Sequence, residues 1–151
     1  MGVCIGALHV RRSLWIRAGC ARIWQEFETL HRLSAWFGRG HELEVFEPGP
    51  QGRIVLSVTI DEEVRSFGGD VLVWEPEREL TFENNWHPPH QWLVSTLITL
   101  RLTPMYEGTL VELFHHGFER LGSSAGDELA GYEAGWTVHY LAALRDIVEA
   151  G

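Results

Sequence analysis

Residues 126–149 read GDELAGYEAGWTVHYLAALRDIVE. Apolar side chains recur there every three or four positions, at Leu129, Tyr132, Trp136, Tyr140, Leu144 and Ile147. This spacing predicts one amphipathic helix from about Gly126 to Glu149. Because the predicted inner face carries three large aromatic side chains, it needs a broad partner. We expect the helix to lie across a sheet, either closing a solid core or leaving a pocket.

A series of predicted strands supplies that partner. Alternating apolar residues predict a first strand over residues 6–17, followed by two short helical segments that contain Trp24 and Trp36. Six further strands are predicted over residues 41–47, 53–60, 67–74, 79–86, 91–103 and 109–118. Turns such as Pro48–Gly52 join them in hairpin succession. The sequence therefore predicts one α+β domain, residues 1–151, with an antiparallel sheet.

Strand alternation also predicts which side chains face the helix. The predicted inner set is Leu72, Trp74, Leu80, Phe82, Asn84, Trp86, Trp92, Val94, Thr96, Ile98, Leu100, Leu102, Val111, Leu113 and His115. Two polar residues, Asn84 and His115, are thus expected among aromatic residues beneath the last helix.

The charge balance excludes several classes of partner. The 12 basic residues, all of them Arg, stand against 21 acidic residues, for a formal net charge of −9. A chain this acidic repels phosphate backbones and acidic membrane surfaces, so we expect no nucleic-acid partner and no stable membrane association. The absence of Lys excludes Schiff-base lysine chemistry.

The two cysteines, Cys4 and Cys20, lack the spacing of a metal or redox motif and are expected to be reduced. The apolar N-terminal stretch is interrupted by Arg11 and Arg12. It is therefore too short for a signal peptide or a membrane span. We expect a cytoplasmic protein.

Several local motifs resemble those of one protein family. They are the phrase from Ile16 to Trp24, Trp36-Phe37-Gly38, the turn from Glu75 to Leu80, Gly108-Thr109, the segment from Val111 to Phe118, and Gly135-Trp136. Together they resemble the SRPBCC (START-like) superfamily, in the branch named for the C-terminal domain of the heat-shock-protein-90 ATPase activator. The chain departs from the family pattern at Asn84, where an aromatic residue is frequent, at Cys20, where Pro is common, and in the loop His87–His90.

The resemblance implies a helix-grip fold, in which a curved antiparallel sheet of about six or seven strands wraps around a long C-terminal helix. Two short helices would follow the first strand. Members of the superfamily often hold an apolar cavity between sheet and helix. They bind lipids, polyketides, sterols or plant hormones there, and some are cyclases.

An aromatic cavity predicts a set of ligand-binding residues: Trp36, Phe37, Trp74, Phe82, Asn84, Trp86, Trp92, His115, Tyr132, Trp136 and Tyr140. The alternative is that the aromatic side chains simply fill the core. His115 could orient a ligand or act as a general acid or base, since its ordinary pKa is near neutrality. The alternative is a buried histidine held by a helix or loop partner.

Other polar clusters predict no site. The five histidines His87, His90, His115, His116 and His139 show no recognised ligand spacing, so we expect no metal. Asp61-Glu62-Glu63 lies between two predicted strands and is expected to be a solvated turn. We assign no catalytic residue and no cofactor.

Three functions are consistent with this sequence. We expect a non-enzymatic protein that binds a small hydrophobic or aromatic molecule, such as a lipid or polyketide. The first alternative is a cyclase- or dehydratase-type enzyme that uses His115. The second is an interaction module that stimulates a chaperone ATPase. An exposed edge strand, the first strand or Arg53–Ile60, would also permit a homodimer.

Overall fold

Seven strands form one antiparallel sheet in the computed structural model, which describes residues 2–150. In chain order they are β1 (His9–Ile16), β2 (Glu42–Phe46), β3 (Arg53–Ile60), β4 (Glu63–Glu75), β5 (Glu79–Trp86), β6 (Thr96–Met105) and β7 (Gly108–His116). Their order across the sheet is β1-β7-β6-β5-β4-β3-β2. Because β2 to β7 pair as successive hairpins, the predicted antiparallel meander is confirmed.

The described residues also form four α-helices, α1 (Cys20–Trp24), α2 (Leu30–Phe37), α3 (Ala125–Gly135) and α4 (His139–Ala150). Short 3₁₀ segments follow α1 and precede α3, over Gln25–Phe27 and Phe118–Ser124. The two short helices after the first strand are present as predicted. Within residues 2–150, no helix is long and apolar enough to cross a membrane.

The C-terminal helical region is divided at residues 136–138, where one continuous helix was predicted. Arg12 of β1 lies at the division. Its Nε donates to the carbonyl of Trp136 at 3.1 Å, and a terminal guanidinium nitrogen donates to the carbonyl of Glu133 at 2.8 Å. In a continuous helix these carbonyls would bond amides four residues later. The periodicity was therefore informative, but carbonyls at the break are bonded by a side chain from the other end of the chain.

The start of β6 was predicted five residues too early, because residues 91–95 do not join the strand. The side chain of Asn85 binds the backbone of Trp92 on both sides. Its Oδ1 accepts from the Trp92 amide at 2.8 Å, and its Nδ2 donates to the Trp92 carbonyl at 3.1 Å. A side-chain amide thus replaces the strand-to-strand hydrogen bonds of Trp92. Val94 was predicted to face inward but is 39% exposed.

The predicted inner position of Leu72 is also wrong. The pairing of β4 with β5 shifts between Val71 and Val73, so one extra residue interrupts the alternation. Val71 opposite Phe82 is 3% exposed, whereas Leu72 is 50% exposed. The bulge therefore turns Leu72 away from the core.

The core lies between the inner face of the sheet and the helices. Its largest fully buried side chains are Trp36, Phe27, Phe37, Phe82 and Phe118. The edges of the sheet are β1 and β2. Arg53–Ile60 was predicted as a candidate edge strand. This is wrong, because β3 lies between β4 and β2.

Candidate ligand-binding cleft

A cleft lies between the inner face of the sheet and the C-terminal helices. Its volume is about 380 Å³. It is lined by Gly40, His41, Val58, Ile60, Phe67, Asn84, Trp86, Ile98, Glu128, Gly131, Tyr132, Gly135, Trp136 and Tyr140. Most of these are aromatic or aliphatic side chains, with a few polar groups among them. This composition and size are typical of small-molecule sites in proteins.

Two glycines of α3 keep space open on the helix side of the cleft. Gly131 and Gly135 lie four residues apart and therefore share a helix face. A Cβ atom added to either would meet no atom within 4 Å. A glycine inside a helix costs about 1 kcal/mol relative to alanine. Helix stability therefore does not explain Gly131, which lines the cleft together with Gly135.

Asn84 contributes a buried polar group to the lining. It pairs with Thr96 across β5 and β6 and is only 2% exposed. Its Oδ1 has no hydrogen-bond partner among the described residues. Leaving a buried acceptor unpaired costs about 1–3 kcal/mol. Asn84 thus brings an unsatisfied carbonyl oxygen to a mainly apolar cleft.

His41 contributes a second unpaired atom. It lies between α2 and β2, with its ring stacked on Tyr140 at 5.5 Å between centroids. The ring hydrogen-bonds the backbone of Phe37, but burial has the larger effect and lowers the pKa of His41. The imidazole is therefore neutral near pH 7. Its Nε2 has no partner within residues 2–150.

Tyr132, Trp86 and Glu128 form a connected wall. Burial and the Glu128 carboxylate raise the pKa of Tyr132, whose hydroxyl oxygen accepts a hydrogen bond from the side chain of Trp86. Trp92 extends this wall outside the lining, because its Nε1 donates to Glu128 Oε2 at 3.0 Å. Its ring also packs edge-on against Tyr132. The tyrosine stays protonated at neutral pH. Among the described residues, Glu128 supplies the one carboxylate of the lining.

His115 lies behind the cleft and is fully buried. Its Nδ1 accepts from Trp136 Nε1 at 3.0 Å. Since an indole nitrogen only donates, the histidine proton is on Nε2, which donates to Thr96 Oγ1 at 2.8 Å. The threonine hydroxyl donates in turn to the backbone carbonyl of Asn84 at 3.1 Å. Both ring nitrogens are thus engaged, and burial together with the nearby His116 lowers the pKa of His115 to about 3.

His116 faces the opposite side of the sheet, as its adjacency to His115 predicted. Its Nδ1 accepts from the Gly6 amide at 3.3 Å, so its Nε2 donates to Thr99 Oγ1 at 2.9 Å. Burial is the main cause that lowers the pKa of His116 to about 4. Among the described residues, no group of three or more His, Cys, Asp or Glu side chains could hold a metal ion.

The structure brings together part of the predicted set of ligand-binding residues. The cleft is lined by Asn84, Trp86, Tyr132, Trp136 and Tyr140. Residues in contact with that lining from behind or beside it are Phe37, Phe82, Trp92 and His115. Trp36 is buried against Phe27 and Phe37, and Trp74 packs against Trp24 and Phe46, both away from the lining.

Sequence reasoning missed other residues of the lining: Gly40, His41, Val58, Ile60, Phe67, Ile98, Glu128, Gly131 and Gly135. Two signals were available for some of them. Ile98 was already assigned to the inner face of its strand. Gly131 and Gly135 interrupt a helical pattern, which often marks a packing or functional constraint.

The arrangement has counterparts among known proteins. The family described as "Activator of Hsp90 ATPase homolog 1-like protein" matches residues 17–149. No curated protein matches the chain. Among solved structures, a protein from Rhodobacter sphaeroides has a TM-score of 0.72 and 22% identity, covering 98% of this chain and 97% of that chain.

Two other structures are similar. DynU16, from the dynemicin biosynthetic locus, has a TM-score of 0.67 and 18% identity, over 94% of this chain and 47% of that chain. The Aha1 dimer from Colwellia psychrerythraea has a TM-score of 0.63 and 17% identity, over 93% and 96%. The predicted helix-grip fold of the SRPBCC superfamily is confirmed. With its match over residues 17–149, this chain belongs to the family of activator of Hsp90 ATPase homolog 1-like proteins.

Proposed function

We propose that the protein binds a small, mainly apolar aromatic molecule in the cleft between the sheet and α3, without converting it chemically. The observation that carries this proposal is an aromatic-walled cleft of about 380 Å³ that α3 leaves open at Gly131 and Gly135. A helix with larger residues at these positions would fill the space and pack more apolar surface. A bound ligand would bury the same apolar surface of the cleft.

The environment of His115 favours binding over catalysis by this residue. A general acid or base needs a free ring nitrogen within reach of the substrate. Here Trp136 and Thr96 occupy both nitrogens, and His115 does not line the cleft. An enzymatic role for His115 would require the loss of one of these hydrogen bonds.

The family description names chaperone activation, but a shared fold does not imply a shared function. A chaperone partner remains a separate hypothesis for this chain. A pull-down with the chaperone as bait tests it directly. Capture that is equally strong when the cleft is blocked would assign chaperone binding to another surface.

Gly131→Leu tests the proposed function by filling the cleft from α3. The neutral fluorophore N-phenyl-1-naphthylamine serves as the ligand, because its emission rises in apolar surroundings. Gly126→Leu is the matched control, since Gly126 also belongs to α3 with no atom within 4 Å of an added Cβ, but does not line the cleft. Both variants replace a helical glycine, so both should fold at least as stably as the wild type.

We expect the wild type and Gly126→Leu to bind the fluorophore equally, and Gly131→Leu to bind it at least about tenfold more weakly. A loss of 1.4 kcal/mol in binding free energy corresponds to that factor. Equal binding by all three proteins would place the fluorophore elsewhere. Absence of binding to the wild type would contradict the proposed function.

A further inference from the structure

Two residues that line the cleft, Asn84 and His41, each have a buried side-chain atom without a hydrogen-bond partner among the described residues. Asn84 Oδ1 belongs to a side chain that is 2% exposed, and a carbonyl oxygen can only accept a hydrogen bond. A molecule in the cleft that carries a donor could pair with it.

The second acceptor is His41 Nε2. The neutral ring bears one proton, and its bond to the Phe37 backbone raises the pKa, as donation to a carbonyl does. The proton is therefore on the nitrogen that faces Phe37. The unpaired Nε2 keeps its lone pair and can only accept. A ligand would therefore have to offer a donor to pair with either atom.

The lining also disfavours anions. It contains the carboxylate of Glu128 and no Arg side chain. A carboxylate ligand, such as a fatty acid, would enter a partly buried site without a counter-ion and beside a like charge. The formal net charge of −9 opposes its approach as well.

We propose that the ligand is an uncharged aromatic molecule with a hydroxyl group, which donates to Asn84 Oδ1 or His41 Nε2, and that carboxylates are rejected. This inference rests on the proposed function, because it defines the chemistry of the molecule held in the same cleft. Aromatic walls formed by Phe67, Trp86 and Trp136 accept the flat rings of such a molecule.

Three matched naphthalenes test the inference by isothermal titration calorimetry at pH 7. In 2-naphthol the hydroxyl both donates and accepts, 2-methoxynaphthalene only accepts, and 2-naphthoate is an anion. We expect 2-naphthol to bind about tenfold more tightly than the ether, since the ether leaves a buried acceptor unpaired. We expect the naphthoate to bind more weakly than either.

Two variants test whether Asn84 Oδ1 or His41 Nε2 causes the preference for 2-naphthol over the ether. If the single hydroxyl proton pairs with Asn84, the preference for 2-naphthol over the ether should fall towards one in Asn84→Leu. The melting temperature of this variant should rise, because a buried unpaired oxygen is removed. If the proton pairs with His41 instead, His41→Phe should be the variant that reduces the preference. His31→Phe makes the same substitution at an exposed position of α2 and should leave the preference unchanged.

The outcomes distinguish a failure of this inference from a failure of the proposed function. If the ether binds as tightly as 2-naphthol, or the naphthoate binds best, cleft binding stands and the donor requirement is wrong. If both variants keep the full wild-type preference, the hydroxyl does not pair with Asn84 or His41, and the inference fails. If none of the three molecules binds the wild type, the proposed function and this inference both fail.

Discussion

Asn84 and His115 are two buried polar residues on the same face of the sheet with opposite hydrogen-bonding states. At His115, Trp136 and Thr96 engage both ring nitrogens. At Asn84, the side-chain oxygen is unpaired. A satisfied polar group contributes to a specific native structure, whereas an unsatisfied one costs stability unless a ligand completes it. This contrast is why we assign His115 to structure and Asn84 to binding.

The neutral state of His115 predicts a pH dependence of stability. Its pKa is about 3 in the folded protein, against 6.5 for an ordinary histidine. As the pH falls below 6.5, the unfolded chain takes up a proton that the folded protein does not, so stability is lost progressively down to about pH 3. Between pH 7 and pH 5 this histidine should account for about 2 kcal/mol of lost unfolding free energy.

Urea unfolding at the two pH values checks this prediction in the wild type and in His115→Gln. The variant should lose about 2 kcal/mol less than the wild type between pH 7 and pH 5. His31→Gln, at an exposed position, should behave as the wild type does. An unchanged pH dependence in His115→Gln would show that His115 is not held neutral.

Arg12 bonds the end of α3 at its division from α4. We therefore expect the loss of this side chain to destabilise the C-terminal helical region. The guanidinium donates to two carbonyls at the end of α3, where a positive charge is also favoured by the helix dipole. Arg12→Gln should therefore reduce the unfolding free energy by about 2 kcal/mol. Amide hydrogen exchange should accelerate over residues 132–140.

Arg11→Gln is the matched control on the same strand. Arg11 pairs with Glu112 on the outer face, and its side chain is 44% exposed. Exposed ion pairs contribute less than about 1 kcal/mol. Equal losses of stability in the two variants would contradict the capping role of Arg12.

Much of the element structure follows from local pattern, and its failures have identifiable causes. Alternation predicted the inner residues of β5 and β7, because each of these strands pairs with β6 without interruption. It failed at Leu72, where a bulge adds a residue, and at Trp92, where the Asn85 side chain takes over the backbone bonds. Both causes involve residues of a neighbouring segment, which the sequence of one strand alone does not show.

The cleft was harder to predict than the fold. Aromatic spacing pointed to Trp136 and Tyr140 because both fit the period of the predicted C-terminal helix. His41 and Phe67 gave no such signal, since their place beside the helix depends on how β2 to β4 curve around it. Trp74 was included in the predicted site because alternation gives the face of a strand but not the position along it.

At the scale of the whole molecule, the sheet and helices enclose a core that is closed at one end and open at the other. Trp24 of α1, Phe27 of the 3₁₀ segment and Trp36 of α2 pack into an aromatic cluster. Around Gly131 and Gly135 the same layers leave the cleft. The central claim is that this open end, rather than the outer surface, receives the ligand.

The seven tryptophans allow one direct measurement of that claim. Each indole N–H gives a proton–nitrogen NMR signal, which can be assigned with Trp→Phe variants. Two indoles line the cleft, Trp86 and Trp136, and Trp92 contacts its wall. Trp15, Trp24, Trp36 and Trp74 lie outside the lining.

Titration with 2-naphthol should shift the signals of Trp86 and Trp136 saturably, with a smaller shift for Trp92. The signals of Trp24, Trp36 and Trp74 should stay in place, because their rings are packed in the core. Saturable shifts confined to the cleft tryptophans would support the proposed binding site. Shifts confined to Trp15 on the outer surface, or no shift at all, would contradict it.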